Sequence, residues 1–207
     1  MLASLTERTP IRPFTADLQT AHDALAVAAA EACGRMSSVP PSGWAIELKR
    51  TLVPVDGLHP WVRQTSERLV ELINQLAAVE RLLDALVWAQ SEGATEVTEC
   101  HPTLSARPVD AHDLKVEGPR HHMVFEVSDM ADADHNANDE MNSELRRLGI
   151  CRCDGPTGTP RRLLAVSEQS AQWLAQGGRP PLASHVGTHG TWIVEYADLP
   201  PEVGRQA

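Results

Sequence analysis

Hydrophobic residues recur at alternating spacings of three and four along one stretch of the chain, which is the period of an α-helix with a buried face. A proline at residue 60 suits the first turn of a helix, and Ser91-Glu92-Gly93 is a stop signal, so the pattern predicts a long helix over residues 60–91. Its apolar stripe either faces the core or forms half of a seam with another helix or a second copy of the chain. The stripe consists of Leu69, Leu72, Leu76, Val79, Leu83 and Leu86.

Short apolar runs between turn residues predict a series of strands after this helix. The predicted strands span residues 95–100, 112–117, 122–128, 162–166 and 191–196. In the third strand, Met123, Phe125 and Val127 share one face, and Glu126 lies on the other. Helices are predicted over residues 139–148 and 167–175, with Ser167 as the N-cap of the second.

Residues 1–59 are predicted to form a mainly helical N-terminal extension, and residues 60–207 an α/β core domain. An alanine-rich helix is expected over residues 16–33, after an extended segment at residues 11–13, because a residue that precedes proline avoids helical geometry. Residues 37–43 have the composition of a linker, and residues 44–48 are predicted to form a short strand.

Composition and charge exclude several classes of protein. No apolar run approaches the roughly 18–20 residues that a membrane helix needs, and the N-terminus lacks a signal-peptide pattern, so a cytoplasmic location without membrane contact is expected. Cysteines at 33, 100, 151 and 153 have neither disulfide-framework nor zinc-site spacing. The net charge of -10 argues against a dedicated DNA-binding domain, which is usually basic.

Two predicted neighbouring strands each carry an acid, Asp113 on one and Glu126 on the next, and a predicted helix follows. The order of elements is helix, three strands, helix, strand, helix, strand. Over residues 60–199 this layout resembles the PD-(D/E)xK, or restriction-endonuclease-like, nuclease superfamily. The resemblance implies a mixed β-sheet flanked by helices, and a metal-dependent nuclease that cleaves DNA or RNA.

The resemblance also implies roles for particular residues. Asp113 and Glu126 match the two strand acids that hold Mg²⁺ or Mn²⁺, and Glu80 matches a glutamate that often comes from the preceding helix. Ser128 stands where the family has a lysine. The cation that this lysine supplies would then come from another residue, and the candidates are Lys115, Arg146 and Arg147.

The same features support an alternative without catalysis. The missing lysine, the acidic composition and the apolar stripe of the long helix fit an inactive interaction module on the same scaffold. This hypothesis predicts a homodimer or a protein partner. The sequence leaves both possibilities open.

Overall fold

The computed structural model describes residues 4–5, 7–102, 111–120, 122–127, 148, 160–176, 182–186 and 189–196. Its helices are α1 (Ile11–Arg35), α2 (Trp44–Arg50), α3 (Leu69–Ser91) and α4 (Glu168–Gln176). Short 3-10 turns over Met36–Ser38 and Pro41–Gly43 connect α1 to α2. Among the described helices, none has the length and apolarity needed to cross a membrane.

The described strands are β1 (Thr9–Pro10), β2 (Leu52–Pro54), β3 (Ser66–Arg68), β4 (Glu96–Cys100), β5 (Leu114–Glu117), β6 (His122–Val127), β7 (Arg161–Val166), β8 (Leu182–Val186) and β9 (Thr191–Tyr196). Seven of them form one mixed sheet in the order β1-β4-β5-β6-β7-β9-β8, and β2 pairs with β3 separately. Strands β4, β5 and β6 form an antiparallel meander, whereas β7 runs parallel to β6. The α/β class and the mixed sheet packed with helices confirm the predicted fold class.

Helix α1 packs along α3 and covers one face of the sheet. Its buried residues recur every three or four positions, as in Phe14, Leu18, Ala21 and Leu25. The prediction of an extended segment at residues 11–13 is wrong, because Pro13 lies in the first turn of α1. Proline is tolerated there because the first N–H groups of a helix have no hydrogen-bond partner within the helix.

Two further predictions in the N-terminal part are wrong. Residues 44–48 belong to helix α2 and not to a strand, and both Trp44 and Ile46 are exposed, so their alternation does not mark a buried face. The long helix begins at Leu69 and not at Pro60, because the pairing of β3 with β2 keeps the chain extended through Arg68. Its end at Ser91 is confirmed.

The sheet separates two clusters of buried side chains. The first lies between the sheet and helices α1 and α3, and it contains Phe125 and Val127 of β6. The second lies on the other face and contains Val124, Leu164 and Leu148 with residues of α4. The predicted alternation of β6 is therefore confirmed, and the strand is buried on both faces. Of the helix predicted at residues 139–148, only Leu148 is described, as helical and buried.

The predicted strands at β4, β5, β6, β7 and β9 are all present within a residue or two of their expected bounds. Ser167 caps α4 as expected, because its Oγ accepts a hydrogen bond from the Ser170 N–H at 3.2 Å. Strands β1 and β8 had no sequence signal. Since β1 pairs with β4 and α1 shares the first core, residues 9–35 pack directly on the sheet, and the domain boundary at residue 59 stays a prediction.

Candidate functional site

Asp113 and Glu126 lie at one end of the β5–β6 ladder, Asp113 in the bend just before β5 and Glu126 within β6. Leu114 pairs with Phe125 as the last antiparallel pair, and Asp113 precedes the first of these residues while Glu126 follows the second. Both acids are completely buried.

A different partner fixes each of the two carboxylates. The backbone N–H of Val127 donates to Asp113 Oδ2 at 2.7 Å. His112 Nδ1 lies 2.6 Å from Glu126 Oε1, so an ionised Glu126 accepts the proton of that ring nitrogen. Hydrogen bonds of this kind offset part of the cost of burying a carboxylate. His112 itself is buried. Each acid is therefore held in a defined position by its own hydrogen bond.

Alternation along β6 places Glu126 on the face of the second core. Val124 belongs to the second cluster and Phe125 to the first, so Glu126 points with Val124. Glu126 also lies beside Leu164 in the parallel β6–β7 pair, and Leu164 belongs to the second cluster as well. Glu126 thus faces away from helices α1 and α3.

Lys115 lies in β5, two residues after Asp113, and the predicted sharing of one strand face by these residues stays a prediction because Asp113 precedes the strand. The ammonium of Lys115 forms an ion pair with Glu99 of β4, which stands opposite it in the ladder. Burial raises the pKa of Glu99, but hydrogen bonds from Lys115 and His101 outweigh this effect and leave the pKa below its usual value.

Glu80 is not brought together with the two strand acids. It lies on α3, which packs on the opposite face of the sheet. Its Oε1 is 3.3 Å from Nε2 of His22 on α1, and its side chain is 39% exposed. The described structure therefore groups Glu80 with His22, and a metal-binding role beside Asp113 stays a prediction without geometric support.

Arg146, Arg147 and Ser128 lie outside the described residues. Among the described residues, no three histidine, cysteine or acidic side chains already converge as a metal site would require. Asp113 and Glu126 nevertheless offer the oxygen ligands that Mg²⁺ prefers, and that ion often takes only one or two carboxylates and fills its other positions with water and substrate phosphate. The two acids fit such a partial site.

Several polar residues of this face were not identified from the sequence. His112, the partner of Glu126, could be noticed in the sequence only because it stands next to Asp113. Glu99 and His101 lie at the end of β4, and their part in the network depends on pairing with β5. A second network, in which Asp84 of α3 holds both the backbone and the ring of His189, joins residues 105 positions apart.

Compared with known proteins, the chain matches no family model, no curated protein and no solved structure. The restriction-endonuclease-like identity of the core therefore stays a prediction. The protein is an α/β protein with a mixed sheet, a long N-terminal helix, and two buried carboxylates, Asp113 and Glu126, at one end of the β5–β6 ladder.

Proposed function

We propose that this chain is a divergent metal-dependent nuclease that hydrolyses phosphodiesters of DNA or RNA. The observation that carries the proposal is the pair Asp113 and Glu126, two fully buried carboxylates at one end of the β5–β6 ladder, where the N–H of Val127, the neighbour of Glu126, donates to Asp113. Burying a carboxylate costs stability unless hydrogen bonds or a cation compensate its charge. A bound Mg²⁺ or Mn²⁺ would relieve that cost and would activate water for attack on the phosphate.

The residues around the pair have distinct tasks in this proposal. The Val127 N–H fixes the orientation of Asp113, and His112 fixes that of Glu126. Lys115, which pairs with Glu99, carries a positive charge two residues after Asp113, and this supports a role in place of the lysine that Ser128 replaces. Arg146 and Arg147 remain alternative sources of that charge.

A calorimetric titration with Mn²⁺ tests the site directly. The unmodified chain is expected to bind one ion, and Asp113→Asn and Glu126→Gln are expected to lose it. Glu96→Gln is the matched control, because Glu96 is a carboxylate of the same sheet that pairs with Arg8 near the surface. Circular dichroism establishes that each variant is folded.

Cleavage assays on duplex DNA, single-stranded DNA and RNA with Mn²⁺ then test the activity. Asp113→Asn and Glu126→Gln should lower the cleavage rate by at least about 100-fold, the upper end of what losing a supporting partner of a metal ligand costs. Cleavage by both variants at the rate of the unmodified chain would refute the assignment. Cleavage by no form of the chain would favour the second candidate.

The second candidate is an inactive interaction module that forms a homodimer. The α3 stripe cannot serve as the seam, because Leu69, Leu72, Val79, Leu83 and Leu86 are buried within the chain's own core. Several exposed apolar residues lie elsewhere in the chain, and three of them are close in sequence: Trp44 is 48%, Ile46 55% and Leu52 60% exposed. Apolar residues clustered on a surface are typical of contact sites for another protein.

Light scattering over a range of protein concentrations distinguishes this candidate. A dimer of the unmodified chain that dissociates in Ile46→Glu would support it, and Val27→Glu serves as the control at an exposed apolar residue of α1. A strict monomer at all concentrations would count against it.

A further inference from the structure

A serine, a histidine and a glutamate form a continuous hydrogen-bonded chain beside the end of β4. Ser4 Oγ lies 2.8 Å from His101 Nδ1, and His101 Nε2 lies 2.9 Å from Glu99 Oε1. A hydroxyl, an imidazole and a carboxylate in this order are the parts of an activated nucleophile, in which the acid orients the base and the base takes the hydroxyl proton.

The direction of each hydrogen bond follows from the chemistry of its partners. The pKa of Glu99 is raised by burial but lowered further by its hydrogen bonds with Lys115 and His101, so the carboxylate is ionised near neutral pH and only accepts. The proton on Nε2 of His101 must then donate to Glu99. In the neutral ring this leaves the lone pair on Nδ1, so the Ser4 hydroxyl donates to it.

Backbone pairing fixes the serine and the histidine relative to each other. Leu5 and Cys100 exchange two backbone hydrogen bonds of 2.9 and 3.0 Å, and Ser4 and His101 are their immediate neighbours. His101 is buried, with 4% of its surface exposed, whereas Ser4 is exposed. The base is therefore held rigidly, and the hydroxyl remains accessible to a substrate.

We propose that Ser4, His101 and Glu99 form a second hydrolytic site, which acts on carboxylic esters. Ser4 Oγ attacks the ester carbonyl carbon as its proton moves to Nδ1 of His101. The bond to the alcohol breaks, and His101 returns the proton to the departing oxygen. Water then hydrolyses the acyl-serine by the same proton transfers, which releases the acid and restores Ser4. Ser4 and His101 are catalytic residues, and Glu99 is a positioning residue.

Labelling of the full chain with a fluorophosphonate probe tests this proposal. The serine oxygen would form a bond to phosphorus as the phosphorus–fluorine bond breaks, and mass spectrometry of peptides would locate the adduct. We expect one adduct at Ser4 in the unmodified chain and none in Ser4→Ala. Ser91→Ala is the matched control and should be labelled normally, because the exposed Ser91 hydroxyl donates to the Trp88 carbonyl and contacts no histidine.

Two further variants separate an activated serine from a merely exposed one. Glu99→Gln should slow labelling at least about tenfold, since loss of the acid leaves the imidazole in the wrong tautomer. His101→Gln, if it folds, should abolish labelling, and Glu99→Gln alone carries the test if it does not. Hydrolysis of p-nitrophenyl acetate should fall in the same order.

Absence of an adduct at Ser4 in the unmodified chain would overturn the proposal. Labelling that Glu99→Gln leaves unchanged would also overturn it, because the three side chains would then be only a structural network. The assay needs no metal, so its outcome is independent of whether Asp113 and Glu126 bind an ion.

Discussion

Asp113 and Glu126 are the residues for which structural stability offers the weakest explanation. Burying a carboxylate is costly, and even a well-paired buried charge is often no more stable than an apolar residue of the same size. Both acids are nevertheless completely buried. The proposed metal site is based on this burial.

His122 gives a prediction for the pH dependence of stability. Burial lowers the pKa of its imidazole, and Glu117 opposes this effect only in part. The unfolded chain therefore takes up a proton near pH 6.5 before the folded chain does. The contribution of this group to stability is present above that pH and is lost as the pH falls from about 6.5 toward the folded pKa.

Urea unfolding of the unmodified chain and of His122→Gln between pH 8 and pH 5 measures this contribution. The free energy of unfolding should fall more steeply in the unmodified chain as the pH drops below about 6.5, by at most about 1.4 kcal/mol for each pH unit. Equal slopes for the two chains would show that His122 does not bind its proton differently in the folded and unfolded states.

The sequence predicted two neighbouring strands close to Asp113 and Glu126 but not all of their surroundings. Alternation and turn residues placed Glu126 in β6, whereas Asp113, expected within a strand, lies in the bend just before β5. Glu80 was assigned to the same site from its position on a helix, although the helix packs on the other face of the sheet. Which face a helix covers depends on packing between elements, and a local pattern does not contain that information.

At the scale of elements, the pairing of α1 with α3 determines how the apolar stripe of α3 is used. Leu18 and Leu25 of α1 and Leu82 and Leu86 of α3 belong to one buried cluster together with residues of the sheet. The stripe could have formed a dimer seam, but within this chain α1 and the sheet already cover it. The strong helical periodicity of the stripe therefore reflects burial within the chain, and no second copy is needed to bury it.

Leu18→Ala tests the contribution of this helix pair. Leu18 has no exposed surface, so the substitution should lower the free energy of unfolding by about 2–5 kcal/mol through lost burial and a cavity. Val27→Ala on the same helix is the matched control, since Val27 is 60% exposed and should change stability by less than about 0.5 kcal/mol. Chemical unfolding measures both variants, and similar effects would contradict the packing of α1.

The whole molecule is organised around a core that takes residues from distant parts of the chain. The first cluster extends from Ile11 in α1 to Ile193 in β9. An antiparallel bridge between Leu5 and Cys100 and the pairing of β1 with β4 add the N-terminal segment to the edge of the sheet. A core shared in this way predicts that these parts unfold together.

Removal of residues 1–35 tests this prediction at the scale of the molecule. The shortened chain would expose the buried faces of Leu72, Val79 and Leu82, so it should lose the cooperative thermal transition in near-ultraviolet circular dichroism. If residues 1–59 were instead a separate extension, the transition would persist at nearly the same midpoint temperature. The experiment therefore also tests the predicted domain boundary.

The sequence by itself determined the class of fold and the positions of most elements from α3 onward. Helical spacing, strand alternation and turn residues act over a few positions, so they can be recognised without knowing what each element packs against. The end of α3 at Ser91, the alternation of β6 and the capping of α4 by Ser167 all follow from such local rules.

Only the tertiary structure decided which of these elements meet. Helix α1 packs on α3, and residues 44–50 form a helix in which Trp44 is exposed. Glu80 lies on the opposite face of the sheet from Glu126. The tertiary structure also brought Ser4 to His101 across 97 positions of sequence. These contacts arise from burial of surfaces that are far apart in the chain, and no local pattern of residues specifies such a partner.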